Sequence, residues 1–175
     1  YEYIAAALPQ HDREAAEGRT IVAHLGNGAS LCALKGGRSQ ACSMGFSTLD
    51  GLIMGTRCGA LDPGVVLYLL REKNMDAVRL EQLLYKESGL LGLSGVSADM
   101  RDLLASDAPA AAEAVEMFRD RVARPAAEFA GLLGGLDALV FTAGIGERTA
   151  EIRARIARRR AWLGSELAED TNAAG

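Results

Sequence analysis

An apolar run that leads directly into a glycine-rich segment constrains the fold of this chain more than any other feature. The run LDALVFT, residues 136–142, precedes AGIGERT, and a helical pattern follows from about Thr149 to Trp162. A continuous apolar run of this length is typical of a strand buried on both faces. A strand, a short glycine loop and a helix in this order predict an α/β fold.

The first part of the chain predicts an antiparallel meander. Residues 20–25 form a short apolar strand, and two further strand-like runs, 30–35 and 38–44, follow it. Gly36-Gly37 lies between these two runs and fits a two-residue hairpin turn.

The same hairpin register places the cysteines. Cys32 faces Ala41 and Cys42 faces Leu31, so the two cysteines are expected on opposite faces of the hairpin. With Cys58 they form no CxxC pair, and neither histidine has ligand-like spacing to them. The pattern therefore predicts reduced thiols in a cytoplasmic protein and no structural zinc site.

Helical patterns account for most of the remaining chain. They span residues 1–16 with an interruption near Pro9, 62–70 from Asp62-Pro63, 75–88 up to Gly89, the end of 90–104, and 107–133. Pro125 lacks an N–H group and is expected to kink or split the last helix. The glycine-rich residues 46–64 are interpreted as one long functional loop, and the polar tail from residue 165 is expected to be exposed.

The overall charge excludes some function classes. A net charge of −4 gives no global field for nucleic acid or an anionic membrane. No uncharged stretch is long enough to span a bilayer, residues 39–49 included, and the chain opens with no signal-peptide pattern. Because the first residue is Tyr1 and not methionine, we expect the chain to be part of a longer protein.

Two glycine motifs are candidate phosphate sites. In HLGNG, residues 24–28, glycine lets backbone N–H groups approach an anion, and His24 and Asn27 can donate from their side chains. A tight turn between strands explains the same residues. AGIGER, residues 143–148, follows a strand and opens a helix, where anions collect, although close strand–helix packing explains its glycines equally well. It is not a dinucleotide fingerprint, because Thr149 stands where the third glycine is required.

Two further segments carry candidate charges. Arg57 in MGTRCG could stabilise a transferring phosphoryl group, although most arginines are solvated surface residues. In SADMRDL, Asp99 and Arg101 could contact a purine, with Met100 packed against it, although a capped helix start accounts for the same pattern. Six arginines between residues 148 and 160 are interpreted as a solvated helix face. With two histidines in the chain, no Ser-His-Asp arrangement is supported.

Taken together, these motifs resemble the acetate kinase family of acetate and propionate kinases. The resemblance rests on HLGNGAS, SMGFSTLDGLIMGTRCGALDPG, SGLLGLSGVSADMRDL and LDALVFTAGIGE, and it extends to about Asn172. It implies the actin/Hsp70/sugar-kinase-like (ribonuclease H-like) ATPase fold, with a mixed sheet flanked by helices. It also implies a cytoplasmic homodimer that uses Mg²⁺ and transfers a phosphoryl group between ATP and acetate or another short-chain carboxylate.

The resemblance assigns roles residue by residue. Arg57 matches the arginine that stabilises the transferring phosphoryl group, and Arg148 stands where the family commonly has asparagine. The implied contacts to ATP or ADP are His24, Leu25, Gly26, Asn27, Gly28, Asp99, Met100, Arg101, Gly144, Ile145, Gly146, Glu147 and Arg148. No metal ligand is assigned within the chain.

The resemblance also implies what the chain lacks. Family members are longer, and their carboxylate-binding arginine, catalytic aspartate and Phe-His-Gly-Thr-Ser histidine would precede Tyr1, which itself stands where a second histidine is common. A late glutamate that helps to hold Mg²⁺ would follow Gly175. We therefore expect residues 1–175 to be an incomplete C-terminal nucleotide-binding domain, without its N-terminal domain and inactive alone. The alternatives are a non-catalytic nucleotide-binding or interaction domain and a related propionate or butyrate kinase.

Overall fold

The centre of the structure is a four-stranded mixed sheet with the order β3-β2-β1-β4. The computed structural model describes residues 1–158 and 168–174. The strands in its described part are β1 (Arg19–Leu25), β2 (Ala29–Lys35), β3 (Arg38–Cys42) and β4 (Ala138–Thr142). The first three pair antiparallel, which confirms the predicted meander, and β4 adds parallel to β1.

The chain divides into two compact units. Residues 1–43 with 119–175 form the first, which we call the sheet unit, and residues 44–118 form the second, which we call the helical unit. No helix in the described parts of the chain is long and apolar enough to cross a membrane.

The core of the sheet unit lies on the central strands. Every residue of β2 except Lys35 is buried, whereas all five residues of β4 are half-buried. Residues 136–142 were expected to form a strand buried on both faces, and that expectation was wrong, because β4 lies at an edge of the described sheet. Helix α1 (Glu2–Ala7) covers one face through Ile4, which packs against Val22 and Leu34.

The hairpin contains a bulge that the sequence did not reveal. Leu34 pairs with Ser39, but Ala33 pairs with Ala41, so β3 holds one extra residue, Gln40. Because each added residue moves the following side chains to the other face, Cys42 becomes the direct partner of Cys32. The prediction that the two cysteines lie on opposite faces was therefore wrong.

The helices of the sheet unit surround these strands. A 3₁₀ turn at Leu8–Gln10 separates α1 from α2 (Arg13–Glu17), as expected from Pro9. The helices α8 (Ala143–Arg148), α9 (Ala150–Arg158) and α10 (Glu169–Ala174) follow β4. The end of the predicted helix up to Trp162 lies outside the described residues. Helix α7 (Pro109–Leu133) belongs to both units and contains Pro125 without being split.

The helical unit starts with the predicted long loop and continues as four short helices before α7. These are α3 (Pro63–Arg71), α4 (Ala77–Lys86), α5 (Gly89–Ser94) and α6 (Met100–Leu104). Asp62, Asp76 and Asp99 cap three of them by accepting backbone N–H bonds. Gly89 was expected to end a helix, but it opens α5 with a φ of +63°.

Candidate functional site

The segment HLGNG forms the tight connection between β1 and β2. The pairs His24–Ser30 and Leu25–Ala29 close the ladder, and Gly26 N–H donates to the Gly28 carbonyl at 3.0 Å. Leu25 is fully buried, whereas His24 and Asn27 are exposed. The loop therefore anchors itself through one apolar side chain and leaves two polar side chains in solvent.

The second glycine segment leaves the same edge of the sheet. Because β4 runs parallel to β1 and Thr142 pairs with His24, both loops start at neighbouring strand ends. His24 Nδ1 and Thr142 Oγ1 are hydrogen-bonded at 3.0 Å. A Cβ atom built on Gly26 would lie 3.4 Å from the Cβ of Ala143. The structure thus brings residues 24–28 and 144–148 together.

The turn from β4 into α8 has an unusual backbone. Ala143 has a φ of +65°, a region that glycine occupies readily and alanine rarely. Its N–H donates to Glu147 Oε1 at 2.9 Å, which fixes the turn. The sequence analysis assigned Glu147 to nucleotide contact, and in the structure its carboxylate accepts this hydrogen bond from the backbone. The next residue, Arg148, is exposed.

The glycines of this edge have two different environments. Gly26, Gly144 and Gly146 have no left-handed backbone that would demand glycine. A Cβ on Gly146 would touch the backbone of Phe141 at 3.5 Å, so this glycine allows close strand–helix packing. A Cβ on Gly144 would meet nothing within 4 Å, and Gly144 is exposed. Packing therefore explains Gly146 but not Gly144.

Arg153 is a residue that the sequence analysis missed. Its Nη1 group donates to the carbonyl oxygens of Gly146 and Glu147 at 3.0 and 2.5 Å, and its Nε donates to Asn172 Oδ1 at 2.8 Å. It is 9% exposed, so the expectation of a solvated arginine face was wrong at this position. The helical spacing of apolar residues indicated this burial, because Arg153 follows Ile152 and lies one turn before Ile156, and both isoleucines are fully buried.

The polar tail was also expected to be exposed, and Asn172 corrects this. Its backbone carbonyl accepts a bond from Arg153 Nη2 at 2.5 Å, and its Nδ2 donates to the Ala150 carbonyl at 3.0 Å. Asn172 is half-buried by these contacts. Arg153 and Asn172 together tie α8 to α10. Residues 165–167 of the tail lie outside the described residues.

Arg57 lies in a loop of the helical unit that backbone hydrogen bonds hold in place. Ser88 N–H donates to the Thr56 carbonyl at 3.0 Å, and Leu90 N–H donates to the Met54 carbonyl at 2.9 Å. The Arg57 guanidinium is half-exposed, and its Nη1 donates to the Thr48 carbonyl at 2.6 Å. The loop is thus fixed around the guanidinium although it contains no regular secondary structure.

Gly89 makes this loop geometry possible. A Cβ atom at this position would lie 2.2 Å from the Met54 carbonyl oxygen and 2.8 Å from that of Arg57. No side chain fits at such distances, and the φ of +63° excludes most residues independently. The glycine therefore sets how closely the connection between α4 and α5 approaches the Arg57 loop.

The fourth predicted segment contains a charged pair, Asp99 and Arg101, at the start of α6. Asp99 Oδ1 accepts from the Arg101 backbone N–H at 2.9 Å, and Arg101 Nη2 donates to Asp99 Oδ2 at 2.6 Å. These bonds to Arg101 lower the pKa of Asp99 to about 2. Met100 is 2% exposed, so its side chain packs in the core here. Asp99 and Arg101 lie in the same unit as Arg57 but in a different segment.

The described residues provide no ready metal cage. Across residues 1–158 and 168–174, no group of three or more His, Cys, Asp or Glu side chains could hold a metal ion. At the sheet edge the described chain offers the exposed side chains of His24 and Asn27, which can donate hydrogen bonds to an anion.

Comparisons with known proteins show the family of this chain. The acetokinase family model matches residues 1–175. An acetate kinase of Rhodopseudomonas palustris (strain TIE-1) is 62% identical over 174 residues, which is 99% of this chain and 44% of that protein. The chain therefore spans less than half the length of this relative.

Solved structures show the same likeness. Entamoeba histolytica acetate kinase superposes with a TM-score of 0.93 at 34% identity, over 99% of this chain and 46% of that chain. A propionate kinase from Francisella tularensis subsp. tularensis SCHU S4 gives 0.91 at 38% identity, over 99% and 45%. These likenesses confirm the predicted α/β fold class with its mixed sheet flanked by helices.

Proposed function

This chain belongs to the acetokinase family, and we propose that it is the nucleotide-binding portion of a longer kinase. The intact protein transfers a phosphoryl group between ATP and acetate, which gives acetyl phosphate and ADP. The relatives that match it are named acetate kinase, and the chain covers 44% of the first of them. The acyl-binding groups are assigned to the rest of that longer protein, which acts as a cytoplasmic homodimer.

The observation that carries the proposal is the free space at Gly144. Gly144 lies beside the end of β1, it has no left-handed backbone, and a Cβ atom there meets nothing. Gly131 has equally open surroundings, and Gly144 differs from it because it follows the end of β4, next to the end of β1. Ligands collect at the carboxyl ends of strands in α/β folds. We assign this space to the adenosine side of ATP or ADP.

The phosphates are assigned to the neighbouring loop. His24 and Asn27 are exposed at the same sheet edge, and each can donate a hydrogen bond to a phosphate oxygen. Asp99 and Arg101 are proposed as further nucleoside contacts, on the strength of the family resemblance. Met100 contributes through its backbone, since its side chain is buried.

Arg57 is proposed to stabilise the phosphoryl group in transit. In the reaction a carboxylate oxygen of acetate attacks the γ-phosphorus of ATP, and the bond from that phosphorus to the bridging oxygen of ADP breaks. The protein supplies position and charge compensation, because little covalent chemistry is required of it. A guanidinium with fixed geometry suits the three equatorial oxygens.

Mg²⁺ is expected in the intact enzyme, where it would neutralise charge on the transferring phosphates. Since no suitable group of side chains lies in the described chain, we assign it no ligand here. In our proposal Mg²⁺ would bind together with the nucleotide, and residues of the longer protein would hold it and compensate charge on the phosphates.

Calorimetric titration with Mg·ADP tests the nucleotide site directly. The chain should bind saturably, and Gly144→Ala should weaken binding at least tenfold because the added methyl group occupies ligand space. Its stability should stay the same or rise by about 0.5 kcal/mol, since alanine favours a helix over glycine. Thermal unfolding of the same variant checks that the loss is not a folding defect.

Gly131→Ala is the matched control. Gly131 lies in α7, and a Cβ there also meets nothing within 4 Å. This variant should bind Mg·ADP like the unmodified chain. Equal affinity of the Gly144→Ala variant and the unmodified chain would remove Gly144 from the site, and a folded chain without any binding would refute an independent nucleotide site.

The likeness to a solved propionate kinase supports a second candidate substrate. Its identity to this chain is 38%, against 34% for the Entamoeba histolytica acetate kinase. Propionate is therefore the second candidate substrate, and the intact protein assayed with acetate and propionate in turn distinguishes the two. Product is measured as the hydroxamate of the acyl phosphate. The 175-residue chain alone should give none.

A further inference from the structure

The bulge in β3 creates a pair of cysteines in a special position. Ser43 N–H donates to the Leu31 carbonyl at 2.9 Å, so the Leu31–Ser43 pair is hydrogen-bonded. Such pairs alternate along antiparallel strands, and the next pair, Cys32–Cys42, is therefore non-hydrogen-bonded. Directly opposed residues of that kind have Cα atoms about 4.5 Å apart. This lies within the range that a disulfide bridges.

Contacts around Cys32 show that its side chain points toward β3. Its Sγ atom lies 3.4 Å from Ser39 Oγ, and Ser39 is the partner of Leu34 on the same face of β2. Ser39 and Cys42 are three residues apart and would point to opposite faces of a regular strand. The extra residue Gln40 puts both on the face of Cys32.

A second sign of proximity comes from Tyr1. Burial, with smaller contributions from Cys42 and Cys32, raises the pKa of Tyr1 to about 12, and the hydrogen bond with Ser30 opposes this rise. The Tyr1 hydroxyl is hydrogen-bonded to Ser30 Oγ, and Ser30 lies two residues before Cys32 on the same face of β2. The two thiols share one patch of the sheet face.

The two thiols differ in access. Cys42 is exposed, whereas Cys32 is 1% exposed. Burial raises the pKa of the Cys32 thiol, so it is a poor first nucleophile. An accessible thiol above a buried one is the arrangement of an attacking and a resolving cysteine.

We propose that Cys32 and Cys42 form a redox modification site that closes to a disulfide and ties the edge strand β3 to β2. The oxidant is a small disulfide such as oxidised glutathione. The Cys42 thiolate attacks one sulfur of this disulfide and releases one glutathione thiolate. The Cys32 thiolate then attacks the Cys42 sulfur and releases the second, so two protein thiols are oxidised and one disulfide is reduced. The proposal does not depend on nucleotide binding.

Peptide mapping tests this proposal without ambiguity. Trypsin cleaves after Lys35, Arg38 and Arg57, which places each of the three cysteines in its own peptide. The full 175-residue chain is treated with oxidised glutathione, denatured, alkylated and digested without reduction. We expect a linked Cys32–Cys42 peptide, and a fall from three alkylated cysteines to one, Cys58.

Three controls keep the test decisive. Cys58→Ser should leave the linked peptide unchanged, and Cys42→Ser should leave Cys32 unmodified, because the accessible attacking thiol is gone. The same reaction in concentrated urea should scramble the pairs, which shows that native geometry directs the link. Glutathione retained on Cys42 with Cys32 still alkylated, or a main product that links Cys58, would overturn the proposal.

Discussion

The loops at the sheet edge and the loop around Arg57 are held in place by different physics. Residues 24–28 and 144–148 extend two strands that pair in parallel, so the register of the sheet sets their positions. The Arg57 loop extends no strand. Backbone hydrogen bonds to residues 84–91 fix it, and Gly89 allows the two segments to approach each other.

The glycines of the two regions reflect this difference. At the sheet edge, Gly26 and Gly144 have ordinary backbone angles, and an added Cβ would lie 3.4 Å from its nearest neighbours at Gly26 and would meet nothing within 4 Å at Gly144. In the helical unit, Gly59 and Gly89 combine a left-handed backbone with carbonyl oxygens closer than 3 Å to any added Cβ. In our proposal Gly144 leaves space for a ligand, whereas Gly59 and Gly89 are required by the fold.

The largest expected effect is the loss of stability when Gly89 is replaced. Gly89→Ala should lower the free energy of unfolding by about 4 kcal/mol, because it adds a clash with Met54 to an unfavourable backbone. Gly95 at the other end of α5 has the same φ of +63°, but a Cβ there meets nothing. Gly95→Ala should therefore cost only about 1 kcal/mol. Urea unfolding of both variants measures the difference, and equal losses would exclude the close approach as the cause.

The next effect concerns chemistry and not folding. In the intact protein, Arg57→Ala should lower kcat by about 10²- to 10³-fold, as the loss of a preorganised charge does elsewhere. KM for ATP should change little, because the guanidinium is assigned to the transition state. Steady-state kinetics separate the two parameters. A rise in KM alone would place Arg57 in ground-state nucleotide binding.

Replacement of Arg153 tests whether the register of β1 and β4 is sufficient to position residues 144–148. Arg153→Lys keeps the charge but loses the fork that holds the Gly146 and Glu147 carbonyls, and it should cost about 2 kcal/mol of stability. Mg·ADP affinity should fall as well. Arg13→Lys is the control, since the Arg13 side chain is 83% exposed and its replacement should be nearly neutral. Unchanged affinity in the folded Arg153 variant would show that the strands alone position the loop.

The smallest effect concerns the opposite end of β4. Hydrogen bonds from Arg19 lower the pKa of Asp137 to about 2. A depressed carboxyl pKa stabilises the fold above the unfolded value near 4, and this stability is lost as pH falls through about 2. Asp137→Asn should therefore reduce Tm by about 1 to 2 °C at neutral pH, because the pair is partly exposed, and by nothing below pH 2. Melting curves from pH 7 to 2 check the window, and a loss that does not depend on pH would point to packing instead.

The sequence predicted the parts that depend on local patterns. Apolar runs gave β1, β2 and the site of the hairpin, and Asp62-Pro63 gave the start of α3. Corrections came where the deciding contact is distant in sequence. Gln40 enters β3 as a bulge that has no local signature, and Asn172, the residue that binds the Arg153 side chain, lies 19 residues away in sequence.

The Arg57 loop, unlike the strands of the sheet, depends on contacts between residues that are distant in sequence. A resemblance named Arg57, but no pattern within residues 46–64 tells that Ser88 and Leu90 hold its loop. Those hydrogen bonds join residues about 30 positions apart in sequence. Closing that length of chain costs conformational entropy, and the other contacts of the folded chain have to compensate it. The role of Gly89 follows from its neighbours in space, so reading it as a helix end was the natural error.

The bulge at Gln40 also bears on how the protein behaves in concentrated solution. β3 is an outer strand of the described sheet, and four of its five residues are exposed. An unpaired strand edge invites another chain to add to it, and this is how many sheets polymerise. A bulge twists such an edge, and a charged residue like Arg38 opposes a close neighbour. The same irregularity that moves Cys42 to the face of Cys32 therefore protects this border of the sheet against aggregation.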